Sequence, residues 1–351
     1  MSLSAPTPSV PRTPRTIPVA LFAVALLLVA GAAIAVTAAY FELRSPSTPP
    51  GAITVTDDVG RTVAVPSNPH RVVVLAPSTM DSMVRLGLRD RVVGIDCGTT
   101  LSGGISQDYN DSQVSAWGLT NSMCVETAPS VNLPQLLNAS PELVLASTIV
   151  SIADVEEMSV TYSIPVVMLQ PSTLGGIAVD VTLLGEIFGV GPAASTLVGQ
   201  LQAVLGTAQQ LVTNLSFTGA PLPTLLLTYY ASPDGSPAPG YWTYGPGTFG
   251  QSLIEFVGAA SIAASSALPY FEMSGSQVLS AQPWAVIYGV GFGVTLATYQ
   301  QGPEWSSLTA VQDGRAWGID SNLLTEPDPT MVLSGLPVLL ALLHPDVYPP
   351  R

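Results

Sequence analysis

His70 and His344 are the two histidines of this 351-residue chain, and each adjoins a proline, Pro69 or Pro345. That context suits a capping or terminal residue better than a general base or a metal ligand. All ten cationic side chains are arginine. Without lysine there is no Schiff-base nucleophile, no phosphate-loop lysine and no basic patch. Nucleic acid is excluded as a partner, because nothing here neutralises a phosphate backbone. Serine is abundant, but none stands in G-x-S-x-G or S-x-x-K. No cluster of histidine and carboxylate marks a metal site. Gly289-Val290-Gly291-Phe292-Gly293 follows an apolar run and reads as a tight loop at a cleft, since it lacks the lysine a nucleotide site uses. These residues point away from an enzyme and imply no cofactor.

Aromatic residues carry the stronger signal. They form 7% of the chain, yet Tyr229, Tyr230, Tyr241, Trp242, Tyr244 and Phe249 gather about a Pro- and Gly-rich stretch. Loops at strand C-termini are where open α/β sheets bind ligands. Tyr and Trp offer flat apolar faces with one polar handle. Tyr229, Tyr241, Trp242 and Tyr244 are therefore candidate ligand contacts. The alternative is that they pack the core of their own lobe.

Elements that would position these groups follow from periodicity. Ile53–Thr56 and Thr62–Val65 flank Asp57-Asp58-Val59-Gly60, a hairpin pattern. Short apolar runs at Arg71–Ala76, Val92–Ile95, Leu143–Ser147 and Pro165–Leu169 alternate with helical spacing, which implies a parallel α/β lobe. From Pro192, Leu197, Leu201, Val204, Ala208, Leu211 and Leu215 recur at three and four residues. That predicts one uninterrupted helix with Pro in its first turn. A second α/β set follows Pro223, with strands Thr224–Tyr229, Ala285–Val290 and Arg315–Ile319. Its helices fall near Gln251–Val257, Ser276–Ala281 and Pro329–Leu343.

The N-terminus has a different character. Between Arg15 and Glu42 no residue is charged, long enough to cross about 30 Å of hydrocarbon as a helix. Arg12 and Arg15 precede it, which leaves the N-terminus inside and the remainder outside. A signal peptide's apolar region is usually about 7–15 residues, shorter than this one, which favours an uncleaved anchor. Residues 45–52, rich in Pro and Ser, read as a tether. Outside the cytoplasm, Cys97 and Cys124, the two cysteines, are expected to form a disulfide rather than remain separate buried thiols. It would close about 27 residues and contribute roughly 3–4 kcal/mol in the chain-entropy account. Sequons begin at Asn110, Asn138 and Asn214, a pattern frequent by chance. Charged residues are only 10% and net charge is −14, a balance that also suits an acidic exterior.

The order of segments resembles the helical-backbone solute-binding proteins of cobalamin and iron-siderophore ABC importers. It is carried by ITVTDDVGRTVAVPSNPHRVVVLAPSTMDSMVRLGLRDRVVGI from residue 53, VNLPQLLNASPELVLAS from 131, and IPVVMLQPSTLGGIAVDVTLLGEIFGVGPAASTLVGQL from 164. GPGTFGQSLIEFVGAASIA from 245, MSGSQVLSAQPWAVI from 273, WSSLTAVQDGRAWGID and the final LLALLHPD complete it. The resemblance covers most of residues 53–346. It implies two Rossmann-like lobes, 53–185 and 219–351, joined by one long helix within 186–218. Before them stand a cytoplasmic segment 1–16, a transmembrane anchor 17–41 and a linker 42–52. It further implies an extracytoplasmic protein, held at the cell membrane, that captures a cobalamin or iron-siderophore type ligand between its lobes for an ABC permease and ATPase. By the same resemblance Trp117, in the context Val114-Ser115-Ala116-Trp117, would face the ligand. No metal site or catalytic residue is implied.

Departures from the pattern matter. Such proteins usually carry a docking glutamate on each lobe, where this chain has Pro134 and Ser276; Glu142 and Glu272 lie nearby in sequence. In the last cleft segment, Asn322 to Asp328, Glu326 stands near where relatives that grip acidic ligands carry arginine. A neutral or cationic corrinoid or hydroxamate complex therefore fits better than a strongly anionic one. Two further readings stay open: a tethered receptor or scavenger without a permease, and a chelatase-like enzyme on a similar scaffold.

Overall fold

The computed structural model of the chain describes residues 51–97, 109–127, 130–217, 224–229, 240–291, 294–346 and 348. The expected anchor at 17–41 and most of the 42–52 tether lie outside them. Among the described residues no helix is long and apolar enough to cross a membrane.

Strands β1 (Ala52–Thr56) and β2 (Thr62–Pro66) form the expected antiparallel hairpin. Asp57 locks its turn. Its Oδ1 accepts from the Arg61 amide at 2.8 Å and its Oδ2 from Arg61 Nε at 2.9 Å. Gly60 sits at φ +79°, where a side chain would be strained.

The first lobe is built on β3 (Val72–Leu75), α1 (Pro77–Arg85), β4 (Val92–Asp96), α2 (Asp111–Trp117), β5 (Cys124–Thr127) and β6 (Ser130–Val131), then α3 (Leu133–Ala139), β7 (Leu143–Ala146), α4 (Ile152–Glu156) and β8 (Val166–Met168). The sheet order is β6-β5-β4-β3-β7-β8, parallel except for β6. Strands β3 and β7 are wholly buried, as their continuous apolar runs require for a sheet covered on both faces. Cys97 just past β4 and Cys124 at the start of β5 are disulfide-bonded, with Cα atoms 5.5 Å apart. The pairing of Ile95 with Cys124 across adjacent strands brings them together.

Helix α5 (Leu174–Phe188) is capped by Thr173 and stopped by Gly189 in the left-handed region. Helix α6 (Gly191–Phe217) follows and runs 27 residues without a break, about 40 Å at 1.5 Å per residue. The two helices meet closely: a Cβ on Gly185 would lie 2.4 Å from that of Ala194.

The second lobe contains β9 (Thr224–Tyr229), β10 (Gly240–Tyr244), α7 (Phe249–Phe256), β11 (Ala260–Ser261), β12 (Tyr270–Ser274), α8 (Gly275–Ala281), β13 (Ala285–Val290), α9 (Leu296–Tyr299), α10 (Thr309–Gln312), β14 (Ala316–Asp320) and α11 (Leu336–Leu343). Its sheet runs β12-β10-β9-β13-β14, with β11 also beside β9. Two findings differ from the sequence expectation. Residues 240–244 are a strand paired antiparallel with β9 and β12, not part of a loop. The helix expected from Pro329 begins as a widened π turn at Met331–Gly335. Pro337 follows that turn and has no N–H for the carbonyl four residues back.

One apolar core runs through Met80 and Met83 of α1, Leu184 of α5, Leu201 of α6, Ile254 of α7 and Leu340 of α11. It therefore crosses the connecting helix from one lobe to the other, and residues 51–351 form one compact unit.

Candidate functional site

In the first sheet the chain leaves β3 toward β4 on one side and returns to β7 on the other. In the second, β9 borders β10 and β13. Each reversal of strand order opens a crevice at the C-terminal strand ends, where open α/β sheets take ligands. Those ends define the candidate site.

On the first lobe the edge is made of hydroxyls, an amide and exposed aliphatic groups. Ser78 and Thr79 begin α1 directly after β3 and are buried. Beyond β7, Thr148 Oγ1 meets Gln170 Oε1 at 3.4 Å. Ile149 and Ile152, beside them, are 62% and 58% exposed. They add apolar surface to this edge of the lobe. On the second lobe Asp320 ends β14, and its Oδ1 accepts from the Asn322 amide at 2.9 Å. Glu326 and Asp328 follow.

Charge is unevenly distributed about the two edges. Arg71 precedes β3 and donates to the Ala139 and Ser140 carbonyls. Arg89 and Arg91 precede β4; Arg89 donates to the Gly118 carbonyl at 2.9 Å and Arg91 to that of Pro69 at 2.7 Å. Arg315 precedes β14, pairs with Asp313 at 2.8 Å and lies 5.0 Å from the centre of the Trp284 ring. Arg61 is bound to Asp57, and Arg85 to Asp81. Two described arginines do reach the elements of the site, each already paired with a carboxylate: Arg61 donates to the Val166 carbonyl of β8, and Arg85 to Thr330 after β14. Asp96, Asp320, Glu326 and Asp328 stand at C-terminal strand ends or in the loop that follows.

The expected ring contacts are dispersed. Tyr241 is 3% exposed and stacks on Trp305 with centroids 6.4 Å apart. Burial first, and Glu304 second, hold its phenol above the ordinary value. Tyr244 is 6% exposed and meets Tyr270 edge-on at 6.0 Å. Both belong to the packing of their own lobe, because the strand pairing of β10 turns them into its core. Trp242 is half-buried, and Thr228 donates to its carbonyl at 2.8 Å. Its pairing with Tyr229 sets it level with the C-terminal end of β9. The Tyr229 side chain, Tyr230, Phe292 and Gly293 lie outside the described residues. Trp117 ends α2 with its carbonyl bound by Arg89, on the turn that enters β4. Its ring meets Tyr109 edge-on at 6.1 Å and packs on the core.

Buried carboxyls went unnoticed in the sequence. Asp180, on α5, is 7% exposed, and its Oδ1 has no hydrogen-bond partner. It lines a cavity of about 10 Å3 with Ser78, Thr79, Ser82 and Pro327, room for about one water. Burial, reinforced by Asp58, pushes its pKa up to about 8. Asp328 is 2% exposed. Burial above all, then Asp81, holds its carboxyl well above the usual range. An acidic residue inside the run Ile177 to Leu184 was the available signal for Asp180.

The positions of the usual docking glutamates are uncharged helix starts. Asn132 caps α3 by accepting from the Gln135 amide at 3.2 Å, with Pro134 in the first turn. Ser274 and Gln277 form a capping box on α8, and Ser276 lies within it. Glu142 is not free to replace Glu at 134, since its Oε2 accepts from the His70 amide at 2.5 Å. Glu272 is exposed on β12.

Comparison with known proteins agrees with this architecture. A family model described as periplasmic binding protein matches residues 72–323. An ABC transporter substrate-binding lipoprotein of Bacillus subtilis is 23% identical over 84% of this chain and 87% of its own length. A cobalamin-binding protein of Halobacterium salinarum is 26% identical over 80% of this chain and 71% of its own. Among solved structures, the molybdate-binding protein MolA of Haemophilus influenzae superposes with TM-score 0.70 at 21% identity, covering 84% of this chain and 92% of its own. The vitamin B12 binding protein BtuF of Vibrio cholerae gives 0.61 at 21% identity, covering 79% and 98%. With two lobes on a continuous helix and a match over most of its length, the chain belongs to the periplasmic binding protein family.

Proposed function

We propose that the protein captures a cobalamin or ferric-siderophore type ligand, neutral or cationic, between the C-terminal edges of its two sheets and delivers it to an ABC importer. The observation that carries the ligand class is the distribution of charge. Every described arginine is already committed to a carboxylate or a carbonyl, including Arg61 and Arg85, which reach the elements of the site, while carboxylates border the edges. An oxyanion would meet acceptors and, among the described residues, no uncommitted cation. The exposed Ile149 and Ile152 offer apolar area worth about 25 cal/mol per Å2 removed from water, less the costs of association. The charge argument supports the ligand class of the relatives named for cobalamin over that of the one named for molybdate. N-terminal anchoring on the outer face of the membrane belongs to the same reading.

Calorimetric titration with cobalamin, a ferric hydroxamate and molybdate tests this. Binding is expected for one of the first two and not for molybdate. Trp242→Ala and Ile149→Ala are each expected to weaken binding by roughly 1 kcal/mol or more. Trp117→Ala is expected to lower Tm and leave affinity unchanged, given where Arg89 holds its backbone. Tight binding of molybdate would reject the charge argument.

A second reading is favoured by Pro134 and Ser276: a tethered receptor that works without a permease. Ligand uptake by cells lacking the ABC ATPase separates the two, since only the receptor reading leaves cell-surface capture as the whole function.

A further inference from the structure

The two lobes touch through a small polar cluster beside the candidate site. Thr330, in the segment after β14, donates its amide to Asp81 Oδ2 of α1 at 3.1 Å and its hydroxyl to Asp81 Oδ1 at 3.0 Å. Arg85 completes the bridge, donating to Asp81 at 2.8 Å and to Thr330 Oγ1 at 2.6 Å. Two residues earlier, the buried Asp328 accepts from the Met331 amide at 2.6 Å, at the start of the π turn. Pro327 closes the cavity into which Asp180 is aimed, against Ser78, Thr79 and Ser82 of α1. One face of α1 thus meets the second lobe at the buried Asp328 and at Pro327, with the buried Asp180 of the first lobe beside the contact and one arginine that Asp81 already occupies.

We propose that this contact is a proton-operated latch between the lobes, closed while Asp328 and Asp180 carry protons and loosened when they lose them. The charged and titratable groups facing it are Asp81 and Arg85 on α1, Glu326 and Asp328 after β14, Asp180 on α5 and Asp58 on the β1–β2 turn. Helix α6, which also packs on the π turn, carries no titratable side chain. When Asp328 ionises, a second buried carboxylate is set against Asp81 with no further cation to balance it. When Asp180 ionises, it is set against Asp58. Both changes disfavour the closed contact, and desolvation adds to each. Raising the pH therefore loosens the floor of the cleft, and acid fastens it. The latch rests on the ligand-capture reading only for its consequence, which is that affinity would change with pH at the cleft.

Hydrogen–deuterium exchange on the full chain without ligand tests the latch separately from ligand identity. Amides in 76–86 and 326–336 are expected to lose at least tenfold in protection between pH 5.5 and pH 9, after correction for intrinsic exchange. Amides of α3 are expected to keep theirs. In Asp328→Asn the protection at 326–336 should persist across the range, and Asp180→Asn should retain part of it. Thr330→Val, which keeps the buried carboxyls but removes the bridging hydroxyl, should lower protection at acidic pH as well. Unchanged protection in the parent protein, or the same loss in Asp328→Asn, overturns the proposal. Failure of every ligand titration would leave this result standing and reject only the ligand reading.

Discussion

Asp180 gives the molecule a pH dependence whose sign follows from its burial. Its carboxyl has an ordinary value of 3.8 and rises to about 8 in the folded protein. Between those values the native state holds a proton that the unfolded chain has released. The corresponding stability is fully present below about pH 4 and is lost as pH rises toward 8. Asp328 acts in the same direction. Thermal unfolding at pH 5 and pH 9 is therefore expected to give the lower Tm at pH 9. The slope should be shallower in Asp180→Asn. At about 1.4 kcal/mol per unit, the Asp180 contribution is bounded at roughly 6 kcal/mol. A Tm that rises with pH would contradict the assignment. Such residues were poorly legible in the sequence, because burial of a carboxyl depends on which helices and loops converge on it. The setting of the aromatic residues was hard to read for the opposite reason. Tyr241 and Tyr244 stood in a Pro- and Gly-rich stretch that read as loop, yet two neighbouring strands pair with Gly240–Tyr244 and fold their rings inward. The Cys97–Cys124 bond was legible from compartment and count alone, two cysteines in a domain read as extracytoplasmic, whereas the strand β5 that brings Cys124 beside β4 was not.

At the scale of elements, helix α6 was the clearest feature in the sequence, and its apolar stripe from Leu197 onward is the face it buries. What the stripe does not reveal is how closely α5 approaches. Gly185 faces Ala194 with no room for a methyl group. Gly185→Ala is expected to push the two helices apart and cost about 1–3 kcal/mol, despite alanine's better helix propensity. Gly199→Ala, on α6 with open space around it, is expected to be neutral or stabilising by a few tenths of a kcal/mol to about 1 kcal/mol. Denaturant midpoints of the two variants moving together would show that the helix contact is not as close as described. The strands β3, β7, β9 and β13 were read nearly to their ends, because short continuous apolar runs are characteristic of buried parallel strands. Strand β12 was missed: it pairs only with β10, and Tyr270 and Glu272 remain exposed.

The whole molecule behaves as one cooperative body by the continuity of its core. Because the same apolar cluster holds α1, α6, α7 and α11, the lobes are not expected to melt apart. Calorimetry on residues 51–351 should give one transition, with calorimetric and van't Hoff enthalpies in agreement. Two resolved transitions would place a boundary through α6. The distribution of charge also has a kinetic side. A molecule of net charge −14 whose described cations are already committed to carboxylates and carbonyls presents an electric field that draws a cation inward along its approach path. Association of a cationic ligand should therefore be fast at low ionic strength and slow steeply as salt is added, while a neutral ligand of the same size should arrive at a nearly constant rate. Stopped-flow measurements across 10–500 mM salt, about 30 Å down to a few Å in screening length, would distinguish the two by slope alone. The cleft would thus sort its visitors by speed before any contact sorts them by affinity.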